Sequence, residues 1–436
     1  MKRRSMRTGG LAAAAVLMLL PGCDGSDGDD KRAAHDEDPN KPASAQGPAI
    51  REVKAPVHFS VGKAVALPES AGAGNISIKG LQYPLPLALH RGTAYIARPD
   101  GMEIASGYRK AAPVLLTPKH EPLTSMDDLG ATVGSNPARR PVIAKSKGKT
   151  LALSSVVTAV SGSGTTKGHH EVELLVADTD TATKAWSARV PLGEMEYTLD
   201  VEEEDTEVVG LYRDTVALYA QGRLFGVNVE THQKVWTAPG TYAAGAVLAA
   251  GKLVALRDGA DGDRRAVGLD PSDGSQKWAI DDVSAETLNA ASPDTVVLGG
   301  HLNSDDSKDG SVLLEAASSK RIKTYEGIMR ADSCDYDGRS TTICAGADSV
   351  VAYNAQTGQE RWTLPDKSGN RVAPEVTLVR AGLVYGTTEN GPVVLDSTTG
   401  ADKEAQPGIA PYFTDGYVGI ALTDSEHTVT AYRTES

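Results

Sequence analysis

VVAYNAQTGQERW, residues 350–362, runs from an apolar strand into a turn at Gln356-Thr357-Gly358 and closes on Trp362. The chain has only four tryptophans, so one placed just behind a turn glycine asks for a reason. The other three supply it: VADTDTATKAW ends at Trp186, GVNVETHQKVW at Trp236 and GLDPSDGSQKW at Trp278. Every tryptophan closes the same phrase. The phrase is a repeat.

Between tryptophans the period is 50, 42 and then 84 residues. The long gap hides one unit, because Tyr325 in AASSKRIKTY stands 47 residues after Trp278 and 37 before Trp362. VLDSTTGADKE, from Val394 to Glu404, repeats Asp396, Thr399 and Gly400 in register and puts Glu404 at the tryptophan position. Six units therefore end near 186, 236, 278, 325, 362 and 404. One unit resolves into GAVLAA (245–250), GKLVALRDG (251–259), RRAVGLDPSDG (264–274) and SQKWAI (275–280), four short alternating strands with turn residues between them. With 45 glycines, 23 prolines and short Val- and Leu-rich runs, the chain is all-β. A strand-only period of 40 to 50 residues marks a β-propeller of four-stranded blades. The tryptophan behind each turn lies between blades and docks them.

The pattern A-x-[D/N]-x-x-T-G-x-x-x-W, fulfilled by Ala352, Asn354, Thr357, Gly358 and Trp362, resembles the tryptophan-docking motif of PQQ-like, quinoprotein-type propellers. Weaker copies keep Asp178, Thr181 and Trp186; Asn228, Thr231 and Trp236; Asp270, Gly274 and Trp278. The resemblance covers about residues 55 to 436 and implies a fold more strongly than an activity.

The chain ends suggest how the ring closes. HTVTAYRTES aligns Ala431 and Tyr432 with Ala352 and Tyr353, then stops before any outer strand. VHFSVGKAVAL (57–67) can supply that strand, and LPLALHRGTAYIARPDGMEIAS (85–106) forms one more blade. The expectation is eight blades, with seven or nine as alternatives. Residues 110–148, rich in Pro and Arg, fit the scheme badly and read as a long loop or a degenerate blade.

Ahead of the propeller, assigned to 51–436, two further segments stand out. MKRRSMR and the apolar LAAAAVLMLL make a leader over residues 1–22, and ten apolar residues are too few to span a bilayer as a helix, which takes about 20. Leu20, Pro21, Gly22 and Cys23 resemble a bacterial lipobox, although Pro21 stands where Ala, Ser or Thr is commoner. The resemblance implies that Cys23 is lipidated, becomes the mature N-terminus and anchors the protein on the extracytoplasmic face of the cell membrane. Asp24 resembles the retention signal of Gram-negative sorting. Residues 23–50 are acidic and poor in core-forming side chains, and read as a flexible tether. Without the leader, 40 Lys and Arg face 57 Asp and Glu, a charge of −17. Such a surface argues against a nucleic-acid partner.

Cys334 and Cys344 flank DYDGRSTTI, whose Asp337-Gly338 suggests a hairpin turn. Outside the cytoplasm they pair as a cross-strand disulfide or remain two buried thiols. No catalytic, cofactor or metal residue emerges. PQQ dehydrogenases, by family resemblance, set the quinone on a tryptophan floor under a vicinal disulfide; here no two cysteines are adjacent and all four tryptophans dock blades. Asp258, Asp261 and Asp263 lack the glutamate of a calcium loop, His169-His170-Glu171 misses the second histidine of HExxH at Leu174, and SGSGTTKG (161–168) reads as a hairpin tip. VEEEDTE (201–207) reads as a solvated connection. Two classes of function remain. One is a tethered, non-catalytic propeller that binds a protein or envelope partner, as outer-membrane assembly lipoproteins and some receptor ectodomains of this fold do. The other is a hydrolase or lyase with its site on the propeller face.

Overall fold

Eight antiparallel sheets form blades along the chain, six of them simple four-stranded meanders, and a separate two-stranded sheet pairs Ser77–Ile78 with Leu81–Gln82. The computed structural model describes residues 55–435 apart from 73–76, 79–80, 83–84, 125–138, 193–204, 261, 303–307, 327–333, 347 and 424–427. Blade 1 is built from Leu87–His90, Thr93–Arg98, Gly101–Ser106 and Val114–Leu116. Blade 2 uses Val142–Ser146, Lys149–Val160, His169–Asp178 and Thr183–Pro191. Blades 3 to 7 run over Thr206–Thr237, Val247–Ala279, Val283–Glu326, Cys334–Leu364 and Glu375–Glu404. Blade 8 takes Phe413–Thr414, Val418–Leu422 and Val429–Thr434 from the end of the chain and its outer strand, Phe59–Ala66, from the beginning.

The closing strand pairs antiparallel with Val429–Thr434, Phe59 opposite Thr434 and Ala66 opposite Thr430. That is the closure expected from the unfinished last repeat. It joins the ends of the chain in one sheet and leaves the ring no unpaired blade. Among the described residues the only helical turn is the 3-10 segment Glu69–Gly72.

The core is divided among the joints. Among the described residues eight apolar clusters occur, one for each pair of neighbouring blades. The strand Thr215–Ala220 shows why: Val216, Leu218 and Ala220 pack toward blade 2, while Ala217 and Tyr219 pack toward blade 4. Both faces of the sheet are covered, so successive residues serve alternate joints and the strand reads as an unbroken apolar run.

The repeated phrase fastens these joints. Its Asp or Asn caps the third-to-outer turn, as Asn354 Oδ1 accepts the N–H groups of Gln356 and Thr357 at 3.0 Å. The residue four positions later takes a positive φ, which glycine adopts without strain, at Gly274, Gly358 and Gly400. The side chain docked by the preceding blade lies directly against it. A Cβ on Gly274 would sit 2.7 Å from Trp236, and one on Gly400 2.8 Å from Trp362. The indole N–H groups then donate across the joint: Trp236 to Pro271 O at 3.0 Å, Trp278 to Ala316 O at 3.0 Å and Trp362 to Ser397 O at 2.9 Å. Tyr325 does the same work, its hydroxyl 2.8 Å from Gly358 O. Glu404 faces the chain break of blade 8, where no turn exists, and meets His58 at 3.0 Å.

Residues 110–148 differ from the loop or degenerate blade expected. They carry the outer strand of blade 1 and the inner strand of blade 2, and Glu121–Pro122 pairs with Thr158 and Ala159. Val114 and Leu115 are exposed, so the outer strand lacks the in-out alternation that marks the others. The seven- and nine-blade alternatives fall away.

Candidate functional site

Because each blade is a meander, its first and third turns lie on one face of the ring, with the docking phrases. The second turns and the blade-to-blade connections lie on the opposite, connection face. Inner strands begin there, around the axis, and their first residues form an axial mouth. Glu207 comes from blade 3, Asp335 from blade 6, Glu375 from blade 7 and Phe413 from blade 8. Arg139 and Arg140 arrive just ahead of the inner strand of blade 2.

The arginines reach across this mouth. The Arg140 guanidinium lies 5.5 Å from the Phe413 ring centroid, a cation–π contact two blades away. It also acts electrostatically on Glu207 and on Asp335, whose blade stands opposite blade 2 in an eight-membered ring. Arg139 Nη2 stands 3.6 Å from Asp205 Oδ1. Glu207 Oε2 accepts the Gly245 N–H at 3.0 Å, yet burial pushes its carboxyl above the usual carboxylate range against that bond and the arginines. Asp335 is exposed, yet partial desolvation pushes its carboxyl up too, with Arg140 opposing. Removal from bulk water disfavours charge, and a cationic contact would favour the ionised form of these carboxyls.

Sequence reading missed this mouth. Glu207 belongs to an inner strand instead of the solvated connection expected of VEEEDTE, whose residues 201–204 lie outside the described residues. Its signal is faint: Asp205 to Glu207 continue into the alternation of VVGLY, which extends the strand back over the acids.

The other candidates take structural places. Cys334 and Cys344 face each other on the first hairpin of blade 6 and form a disulfide, their Cα atoms 4.1 Å apart. Trp186 stacks on His232 at 4.4 Å, and Trp236, Trp278 and Trp362 bond across joints as described. Cys23 lies outside the described residues. Asp258 meets Arg264 at 3.3 Å and Asp263 accepts from Ser284 at 3.1 Å, while Asp261 is not among the described residues. His169, His170 and Glu171 occupy a strand, with Glu171 buried against His120 Nδ1 at 2.5 Å. Residues 161–168 form the tip of the hairpin between the second and third strands of blade 2, closed by a bridge between Ser163 and Thr166. Among the described residues no group of three or more His, Cys, Asp or Glu could hold a metal ion, and no helix is long and apolar enough to cross a membrane.

Eight meander blades fastened by docked indoles define a PQQ-like propeller. The chain belongs to the family described as outer membrane protein assembly factor BamB, whose sequence profile matches residues 171–406, just over half of its length. Solved structures similar to it include BamB from Moraxella catarrhalis, with TM-score 0.47 and 14% identity over 86% of this chain and 99% of that one. The computationally designed Ika8 protein gives 0.45 and 14% over 80% and 95%. A europium-containing methanol dehydrogenase gives 0.40 and 12% over 73% and 77%. No curated protein matches the sequence.

Proposed function

We propose that the protein is a non-catalytic scaffold of the cell envelope, anchored to the membrane through lipidated Cys23 and a tether over residues 23–50, and that its axial mouth receives a protein partner of outer-membrane assembly. Family membership supports the setting. One observation carries the binding reading: half-buried Glu207 and exposed Asp335 share a single mouth with Arg140, which acts electrostatically on both. Polar groups placed this way favour a charged partner surface and set its orientation. The tryptophans speak against a quinone site, since each is engaged at a joint.

Photo-crosslinking from the mouth tests the site. An ultraviolet-activated amino acid at Arg139 is expected to trap a discrete adduct in cells, while the same group at Lys403, beside the docking turns, is not. Adducts from Lys403 alone would overturn the assignment. Anchoring has a separate test. Cys23→Ser is expected to leave the precursor uncleaved or to release the protein from membranes, and a variant that fractionates and migrates like wild type would contradict it.

A further inference from the structure

The joint between blades 2 and 3 carries a ring where the others carry a small residue. Gly274, Gly358, Gly400, Ala182 and Ser319 take the positive-φ position of their turns, and blade 3 has His232 there, with φ 56°. A glycine there lets the docked ring close onto the backbone, as Trp236 does on Gly274. Here an imidazole intervenes, stacked on Trp186 with centroids 4.4 Å apart and planes 13° from parallel. The turn of blade 3 therefore stands off by roughly the thickness of one aromatic ring. A groove of about 460 Å³ lies at this joint, walled by Trp186 and floored by Leu151 and Val229.

Its rim is polar and balanced. Lys147 pairs across the joint with Glu230, and Lys149 meets Asp178 at 3.3 Å. Thr181 and Thr183 add hydroxyls 2.8 Å apart, able to donate or accept. Two lysines against two carboxylates leave no net charge, which selects against free anions and cations alike. An indole and aliphatic floor beneath a ring of hydroxyls and ion pairs matches a molecule with a C–H face and hydroxyl edges. The volume falls in the range of small-molecule sites.

We infer that this groove binds a neutral saccharide of one or two rings. The site is distinct from the axial mouth and stands whether or not the mouth binds a protein. His232 holds the joint open, Trp186 supplies the apolar wall, and Thr181, Thr183 and the two ion pairs meet the hydroxyls. Departures from a repeat that cost local regularity tend to mark function.

The test is a titration of the purified chain with glucose, N-acetylglucosamine and their β-1,4-linked dimers, followed by tryptophan fluorescence and calorimetry. At least one probe is expected to bind saturably. Ala185→Phe, at an exposed lining position, is expected to block the groove and abolish binding with the melting temperature unchanged. His232→Gly, the residue that three other joints carry, is expected to fold normally and weaken binding roughly tenfold. No saturable binding by any of the four probes, or binding that survives Ala185→Phe, overturns the proposal.

Discussion

Asp335 and Asp337 stand two residues apart on one hairpin of blade 6, and the ring treats them in opposite ways. Asp337 is fully buried, and its Oδ1 accepts the N–H groups of Arg339, Ser340 and Thr341 at 2.8 to 2.9 Å. Its Oδ2 takes the Ser397 hydroxyl of blade 7 at 2.6 Å. Burial alone would raise this carboxyl, but the Ser397 bond and the backbone donors bring it below the usual range. Asp335 is exposed at the mouth without that ring of donors, and partial desolvation pushes its carboxyl up. The difference separates two uses of polarity. At this joint the Asp337 carboxylate is answered from within the chain and adds stability. At the mouth the chain answers only in part, and the remainder is open to a partner. Blade 8 repeats the joint device, with Asp415 Oδ2 accepting the Gly92 N–H of blade 1 at 2.5 Å.

If joints hold the ring, breaking the closing one should cost most. Deleting residues 51–68 removes Phe59 and Leu67 from the core and a whole outer strand, and is expected to lower stability by several kcal/mol, about 4 or more. Deleting 24–50 is expected to leave the thermal melt nearly unchanged. Equal melting temperatures for the two truncations would mean that the ring closes another way.

A docked indole comes next. Trp236→Ala empties the space against Gly226 and Gly274 and strands the Pro271 carbonyl. A cost of about 3 to 5 kcal/mol is expected in urea denaturation. A loss under 1 kcal/mol would deny the joint its role.

Asp337→Asn is expected to cost about 2 kcal/mol at neutral pH, because the three backbone donors and the Ser397 hydroxyl lose their charge-assisted bonds to a carboxylate. The pH dependence has a definite sign. A folded carboxyl held below its unfolded value stabilises fully above that unfolded value, near 3.9 for Asp. The contribution is lost as pH falls through the lower folded value. The gap between variant and wild type should therefore narrow below about pH 4. A gap that is constant from pH 7 to pH 3 would contradict the assignment.

The sequence showed the joints far better than the mouth, for a physical reason. A joint repeats: Asn354, Thr357, Gly358 and Trp362 recur because every blade must dock the next, so a period exposes them all. Glu404 could be placed at a tryptophan position from register alone and meets His58 there. Tyr325, placed by spacing, stands two residues beyond the register position held by Lys323, and both side chains donate to Gly358 O. The closing strand was legible because the last repeat stops short. Glu207, Asp335 and Arg140 are brought together only by the curvature of the ring, from blades 3 and 6 and the approach to blade 2. No local pattern links them. The outer strand of blade 1 was hidden because Val114 and Leu115 both face solvent.

The most direct test sets mouth against joint in one experiment. Glu207→Gln with Asp335→Asn removes the charges that burial disfavours, and the amide oxygen introduced by the first substitution can still accept from the Gly245 N–H. Folded carboxyls held above their unfolded values penalise the ring increasingly as pH rises from about 4 through the raised values. The double variant is therefore expected to melt at or above the wild-type temperature at neutral pH, by about 1 kcal/mol at most, with the advantage gone below about pH 4. The same protein, crosslinked from Arg139 in cells, is expected to lose its partner adduct, whereas Asp337→Asn loses stability and keeps the adduct in its folded fraction. A mouth variant that melts early, or one that melts like wild type and still yields the full adduct, would contradict the division between joints that hold and a mouth that binds.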